Sequence, residues 1–295
     1  MRANSGLASE PESLSLMPPA EKSVIGVSEG STMRTAVSRN GHGPVPACGI
    51  AVMAKASIAG RSKTRLVPPL TFDEAAQCNT AFLRDVGDNM LAASAQASIT
   101  AHMAFGPPQA RPFFEQSLPR EIGLIDAWYP NFGDCLACAM MRLLELGHAA
   151  AMVLNSDSPT LPTSLLIETA ETLALPGDRI VLGPAYDGGY YLLGAKAMYP
   201  RLFQDIAWSS EHVARQTLER AAELGLPVHI LPTWYDVDDV QALRMLQAEL
   251  FEGQPFARDL RPNPAPHTRA LMQSWLESTD FRERLAGAEL RRAAE

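Results

Sequence analysis

Long apolar runs are missing from this chain. No stretch approaches the roughly 20 apolar residues needed to span a bilayer. The opening MRANSGLASEPESLSLMPP is broken by polar residues and prolines, and it holds no signal-peptide core. Cysteine is sparse: Cys48, Cys78, Cys135 and Cys138 in 295 residues do not make a disulfide framework. A reducing cytoplasm is the expected setting. Basic charge is short as well, with 25 Lys and Arg against 33 Asp and Glu and a net charge of −8. A dedicated nucleic-acid binder needs a basic face to neutralise phosphates, so that class is disfavoured. What the chain does have is core material. Apolar residues make up 46% and charged residues 20%, enough for one sizeable domain.

Three regions are expected. Residues 1–46 are rich in Ser, Gly and Pro with little periodicity, which favours a disordered extension; Met33 offers a second start. Residues 47–252 alternate short apolar runs with amphipathic stretches. Strands are expected at 47–54, 98–106, 121–128, 149–156, 179–185, 189–195 and 227–232. Helices are expected at 71–95, 109–117, 133–146, 162–175, 210–225 and 237–251, the first with Thr71 as N-cap and Ser209 or Ser210 capping the fifth. That alternation predicts an α/β fold with a mostly parallel sheet covered on both faces. Residues 253–295 read as a proline-containing linker and one charged helix that packs on the core or on a partner.

Ligands of open parallel sheets gather outside the carboxyl ends of the strands, and four polar clusters fall there. KASIAGRSKTRL follows the first strand and carries Lys55, Arg61, Lys63 and Arg65 around Gly60. Cations and a glycine suit a polyphosphate, although the loop lacks Walker A spacing and also reads as a plain solvated loop. NSDSPTLP places Asp157 after the fourth strand, as a ligand for Mg²⁺ or Mn²⁺ or as a turn residue. GPAYDGGYYLLG holds one acid, Asp187, beside Gly188 and Gly189. An Asp-Gly pair between apolar runs is a hairpin signal, and a hairpin at a crevice mouth also suits substrate contact by Asp187, Gly188, Gly189 and Tyr190. WYDVDDV brings Asp236, Asp238 and Asp239, which serve as metal ligands or as a helix N-cap. Cys135 and Cys138 have CxxC spacing without a second pair, and core packing is the expected role.

The order of GRSKTRL, NSDSPTLP, GPAYDGGYYLLG, a Trp-Ser pair and YDVDD resembles a bacterial transferase family of the GT-A type over residues 48–250. That family is related to the 2-phospho-L-lactate guanylyltransferases and, more distantly, to the molybdenum-cofactor guanylyltransferases. Its members are often described as glycosyltransferases, some linked with arsenosugar biosynthesis and radical SAM proteins. The resemblance implies a Rossmann-like nucleotide-diphospho-sugar transferase fold, a three-layer sandwich. It also implies that Lys63 and Arg65 meet phosphates, that Asp157, Asp236 and Asp238 hold the metal, and that Asp187 lies near sugar or acceptor. Two departures stand out. Ser57 and Ala59 replace prolines in the first loop, and Ala137 and Cys138 replace a Glu and an Arg.

The expected activity is metal-dependent transfer from a nucleotide donor to a small-molecule acceptor, with a glycosyl group moving. Lys63 would stabilise the leaving diphosphate and Asp187 would take the acceptor proton. Nucleotidyl transfer from an NTP and nucleotide binding without turnover are the alternatives. No nucleic-acid partner and no membrane span are expected; a homo-oligomer is allowed.

Overall fold

The computed structural model describes residues 48–292, so the expected disordered extension over 1–46 lies outside it. Seven strands form one sheet: β1 (Cys48–Ala54), β2 (Ile99–Phe105), β3 (Gly123–Asp126), β4 (Ala150–Leu154), β5 (Ile180–Pro184), β6 (Tyr190–Ala195) and β7 (Val228–Ile230). Their order is β3-β2-β1-β4-β6-β5-β7. β6 alone runs against the rest, paired antiparallel with β4 and β5; the other pairings are parallel. This is the mostly parallel α/β sheet that the alternating pattern predicts.

Period-two alternation explains why the central strands read as unbroken apolar runs. Ile50 and Val52 face one helical layer while Ala51 faces the other, and Met152 and Leu154 alternate in the same way with Ala151 and Val153. Both faces are covered, so neither set of side chains can be polar. One face carries α1 (Phe72–Ser94), α4 (Thr163–Ala174) and α6 (Val240–Phe251), with α2 (Arg111–Ser117) at its edge. The opposite face carries α3 (Phe132–Glu145) and α5 (Val213–Glu223). Among the described residues, no helix is long and apolar enough to cross a membrane.

Two local expectations are corrected. The C-terminal region forms two helices, α7 (Pro266–Leu276) and α8 (Thr279–Arg292), rather than one. The break at Glu277-Ser278 lets Met272 and Trp275 of α7, and Phe281 and Leu285 of α8, all reach the same core. Neither Ser209 nor Ser210 caps α5. That helix starts at Val213 with His212 in the cap position, and the Ser210 hydroxyl donates to Ala207 O instead.

The C-terminal region is fastened to the core by specific polar contacts. Asp85 of α1 accepts the backbone N–H groups of His267 and Thr268 at 2.9 and 2.8 Å. Arg284 forms a forked pair with Glu74 at 2.9 and 2.8 Å.

Register fixes where the site forms. Ala54 of β1 lies opposite Phe105 of β2, Phe105 opposite Asp126 of β3, and Val52 opposite Leu154 of β4. The carboxyl ends of four strands are therefore level. Because β2 lies on one side of β1 and β4 on the other, the order reverses at β1/β4, the switch point where such sheets open a crevice.

Candidate functional site

A cavity of about 360 Å³ opens at that switch point. Its walls are the residues that leave the level strand ends: Lys55 after β1, Gly106 after β2, Trp128 beyond β3, and Asn155 and Asp157 after β4. The loop after β1 closes one side with Arg61, Lys63 and Arg65. Its shape is held from below. Ser62 is buried and its hydroxyl accepts the Ile58 N–H at 2.9 Å while donating to Ala56 O at 3.2 Å. Asn79 of α1 donates to Lys55 O at 3.1 Å and to the Ser57 hydroxyl at 2.9 Å.

Lys63 does not point freely into this cavity. Its backbone is left-handed, at φ 51° and ψ 37°, a region uncommon for a residue with a side chain. Its ammonium donates to Val237 O at 2.9 Å and lies 2.8 Å from Asp157 Oδ1 and 2.8 Å from Asp238 Oδ1. An ammonium has three N–H bonds, and these three acceptors take them. The lysine side chain is only 5% exposed. Burial alone would lower its pKa, but the Asp157 and Asp238 carboxylates outweigh that and raise it. Burial alone would likewise raise Asp238, and Lys63 followed by Arg65 holds its carboxyl below the ordinary range.

The acids of the two loops are brought together by the backbone. Val237 N–H donates to Asp157 O at 2.9 Å, tying the loop after β4 to the one after β7. Asp239 is the N-cap of α6, accepting the Ala242 N–H at 2.8 Å. Asp236 sits apart from Lys63. Burial, then repulsion from Asp187, Asp238 and Asp157, pushes its pKa up to about 7.

The expected metal set of Asp157, Asp236 and Asp238 does not fit a divalent ion in this arrangement. Mg²⁺ wants oxygens at about 2.1 Å around one centre. Here the space shared by Asp157 and Asp238 is filled by the Lys63 ammonium, and no group of three potential ligands converges among the described residues. The oxygens of Asp157 and Asp238 that face each other are taken by that ammonium, and Arg65 approaches Asp238 Oδ2 at 3.8 Å.

The remaining expected residues divide. Lys55, Arg61 and Arg65 line the cavity with Lys63, Asp157 and Asp238. Gly60, Asp187, Gly188, Gly189, Tyr190 and Asp236 are not among its lining residues. Gly60 is at φ 75° with open space around it, as a turn glycine is. Asp187 tips the β5–β6 hairpin on the same sheet edge, and its Oδ1 accepts the Gly189 N–H at 2.9 Å. Gly188, at φ 92°, is closely approached by the chain itself: a Cβ there would lie 2.3 Å from Glu211 O. The Tyr190 hydroxyl is buried without a partner. Cys138 is buried in the α3 core and Ala137 packs against it, neither facing the cavity.

Trp128 and Phe132 fall outside the quoted motifs, while Cys135, expected only to pack in the core, and Asn155, the first residue of NSDSPTLP, also line the cavity. Trp128 and Phe132 are half exposed at the rim, at 53% and 50%. Trp128 packs against Gly106, where a Cβ would come within 2.4 Å of the ring. Cys135 lines the wall, with its thiol donating to Tyr129 O at 3.4 Å. Asn155 Oδ1 is buried with no partner. The stretch AWYPNF, aromatic and placed just past a strand end, was the available signal for the rim.

Comparison with known proteins agrees with this architecture. Residues 89–210 match a family described as "Uncharacterized protein conserved in bacteria (DUF2064)", a span from the last turns of α1 through Asp157 and the β5–β6 hairpin. No curated protein matches the chain. A crystal structure of a "putative nucleotide-diphospho-sugar transferase" from Desulfovibrio desulfuricans G20 is similar, with a TM-score of 0.68 and 24% identity over 81% of this chain and 99% of that one. Looser matches are a cytidylyltransferase from Leptospira borgpetersenii serovar Hardjo-bovis and a CMP:2-keto-3-deoxy-manno-octonic acid synthetase complexed with CTP. The first has a TM-score of 0.48 at 9% identity, covering 80% of this chain and 97% of that one. The second has a TM-score of 0.45 at 11% identity, covering 70% and 100%. The chain thus has the Rossmann-like fold of nucleotide-diphospho-sugar transferases.

Proposed function

We propose that this chain is a transferase that takes its donor as a nucleotide sugar and passes the glycosyl group to a small-molecule acceptor. The observation that carries the reading is the pairing, in one cavity at the β1/β4 switch point, of a cationic wall (Lys55, Arg61, Arg65) with an aromatic rim (Trp128, Phe132). A nucleoside diphosphate has those two halves: charge at one end, a flat base at the other. Arg61 and Arg65 meet the diphosphate, Trp128 offers its ring to the base, and Asn155 Oδ1 accepts a hydrogen bond from the donor.

In the reaction, the acceptor oxygen attacks the anomeric carbon and the bond from that carbon to the diphosphate oxygen breaks. The nucleoside diphosphate leaves with the electron pair, and its negative charge is met by the guanidinium groups of Arg61 and Arg65. Asp187, on the hairpin at the same edge, takes the acceptor proton. No step runs through Mg²⁺ or Mn²⁺, because Lys63 fills the space their carboxylates would share.

Product analysis tests this. Incubation with a panel of nucleotide sugars, nucleoside triphosphates and hydroxylated acceptors should release a nucleoside diphosphate from one sugar donor. That release should disappear in the Arg61→Ala, Arg65→Ala double variant. Pyrophosphate from a triphosphate, with no diphosphate from any sugar, contradicts glycosyl transfer and marks nucleotidyl transfer. Nucleotide binding with neither product marks a binding protein.

A further inference from the structure

Lys63 is anchored more completely than a phosphate-reading lysine needs to be. Such a lysine works as a flexible point charge with N–H groups free for the ligand. Here Val237 O, Asp157 Oδ1 and Asp238 Oδ1 take all three at 2.8 to 2.9 Å. The ring of Phe82 lies 5.2 Å from Nζ and closes another side. The left-handed backbone at Lys63 aims the side chain there, and the Val237–Asp157 backbone hydrogen bond fixes the spacing of the loops that carry both acids. Two carboxylates held side by side at the end of a cavity need a cation between them. The chain supplies one covalently.

We propose that Lys63 is the resident cation of this site: its ammonium takes the seat between Asp157 and Asp238 that a divalent ion would otherwise occupy. The wild-type protein therefore has no saturable Mg²⁺ or Mn²⁺ site at these acids, and Lys63 acts as a positioning residue for the two loops. A second consequence rests on the nucleotide reading above: diphosphate binding through Arg61 and Arg65 proceeds without a divalent ion.

The test is Mn²⁺ titration of the full chain, followed by the loss of the free-ion EPR signal, in wild type, Lys63→Met, and Lys63→Met with Asp157→Asn. Wild type should show no saturable site at millimolar Mn²⁺. Lys63→Met should gain one site, and the double variant should lose it. Saturable Mn²⁺ binding by wild type that disappears in Asp157→Asn or Asp238→Asn overturns the proposal, as does a folded Lys63→Met protein that binds no ion. If Lys63→Met fails to fold, the wild-type titration against Asp238→Asn decides alone. Nucleotide does not enter this assay, so failure of the nucleotide reading leaves its outcome standing. For the second consequence, nucleoside diphosphate affinity is compared in EDTA and in Mn²⁺. Equal affinity is expected, and a gain of about tenfold or more with Mn²⁺ contradicts it.

Discussion

Single residues at the sheet edge carry opposite requirements, and the acids show this most clearly. Asp157 and Asp238 share a lysine, whereas Asp236 has none and is pushed up to about 7 by burial and by Asp187, Asp238 and Asp157. A carboxyl whose folded pKa lies above its unfolded value contributes stability that is intact below the unfolded pKa, near pH 4. That contribution is lost as pH rises through the folded value. Asp236→Asn should therefore stabilise the fold at pH 8 by on the order of 2 kcal/mol, seen as a higher melting temperature, and change it little at pH 4. Equal effects at both pH values would contradict this origin. Gly188 makes the complementary case for space. Gly188→Ala places a Cβ 2.3 Å from Glu211 O at φ 92° and should cost more than about 1 kcal/mol in denaturant unfolding, even with the cavity intact. The sequence signalled a glycine that lets something approach closely; what approaches is the 209–213 segment, and no local pattern reveals so remote a neighbour. Lys63 reads in the sequence as a cation expected to meet phosphate. Its three protein acceptors are not legible there, because they come from loops about 90 and 170 residues away in the chain.

At the scale of elements, side-chain caps mark the starts of α1, α3 and α6, and tertiary packing decides the break between α7 and α8. Thr71 and Glu74 form a reciprocal capping box on α1, with the Thr71 hydroxyl accepting the Glu74 N–H at 3.2 Å and the Glu74 carboxylate accepting the Thr71 N–H at 2.7 Å. Thr71→Ala should cost about 1 kcal/mol of stability. Glu74 also receives Arg284 of α8, which with Thr71 holds its pKa low despite burial. Glu74→Ala should therefore cost more than Thr71→Ala in the same unfolding titration, because it releases α8 as well as the cap. The strands and most helices were legible because each follows a periodic apolar pattern. The split between α7 and α8 was not, since it depends on burying Met272, Trp275, Phe281 and Leu285 together.

For the whole molecule, a strand order that reverses at β1/β4 and four level strand ends gather residues from six separate segments into one cavity. Fold class and the sheet edge that carries the chemistry follow from apolar alternation and from where polar motifs interrupt it. The aromatic rim and the filled cation seat depend on which loops meet, and only the folded chain shows that. The central claim is that this cavity binds a nucleoside diphosphate through Arg61, Arg65 and Trp128. Isothermal titration of the full chain with nucleoside diphosphates in EDTA tests it most directly. The account predicts saturable one-to-one binding of at least one of them. Trp128→Ala should weaken it by about 1 kcal/mol, close to fivefold, and the Arg61→Ala, Arg65→Ala double variant should weaken it by at least about tenfold at unchanged melting temperature. No binding of any nucleoside diphosphate, or equal binding by the double variant, would contradict it.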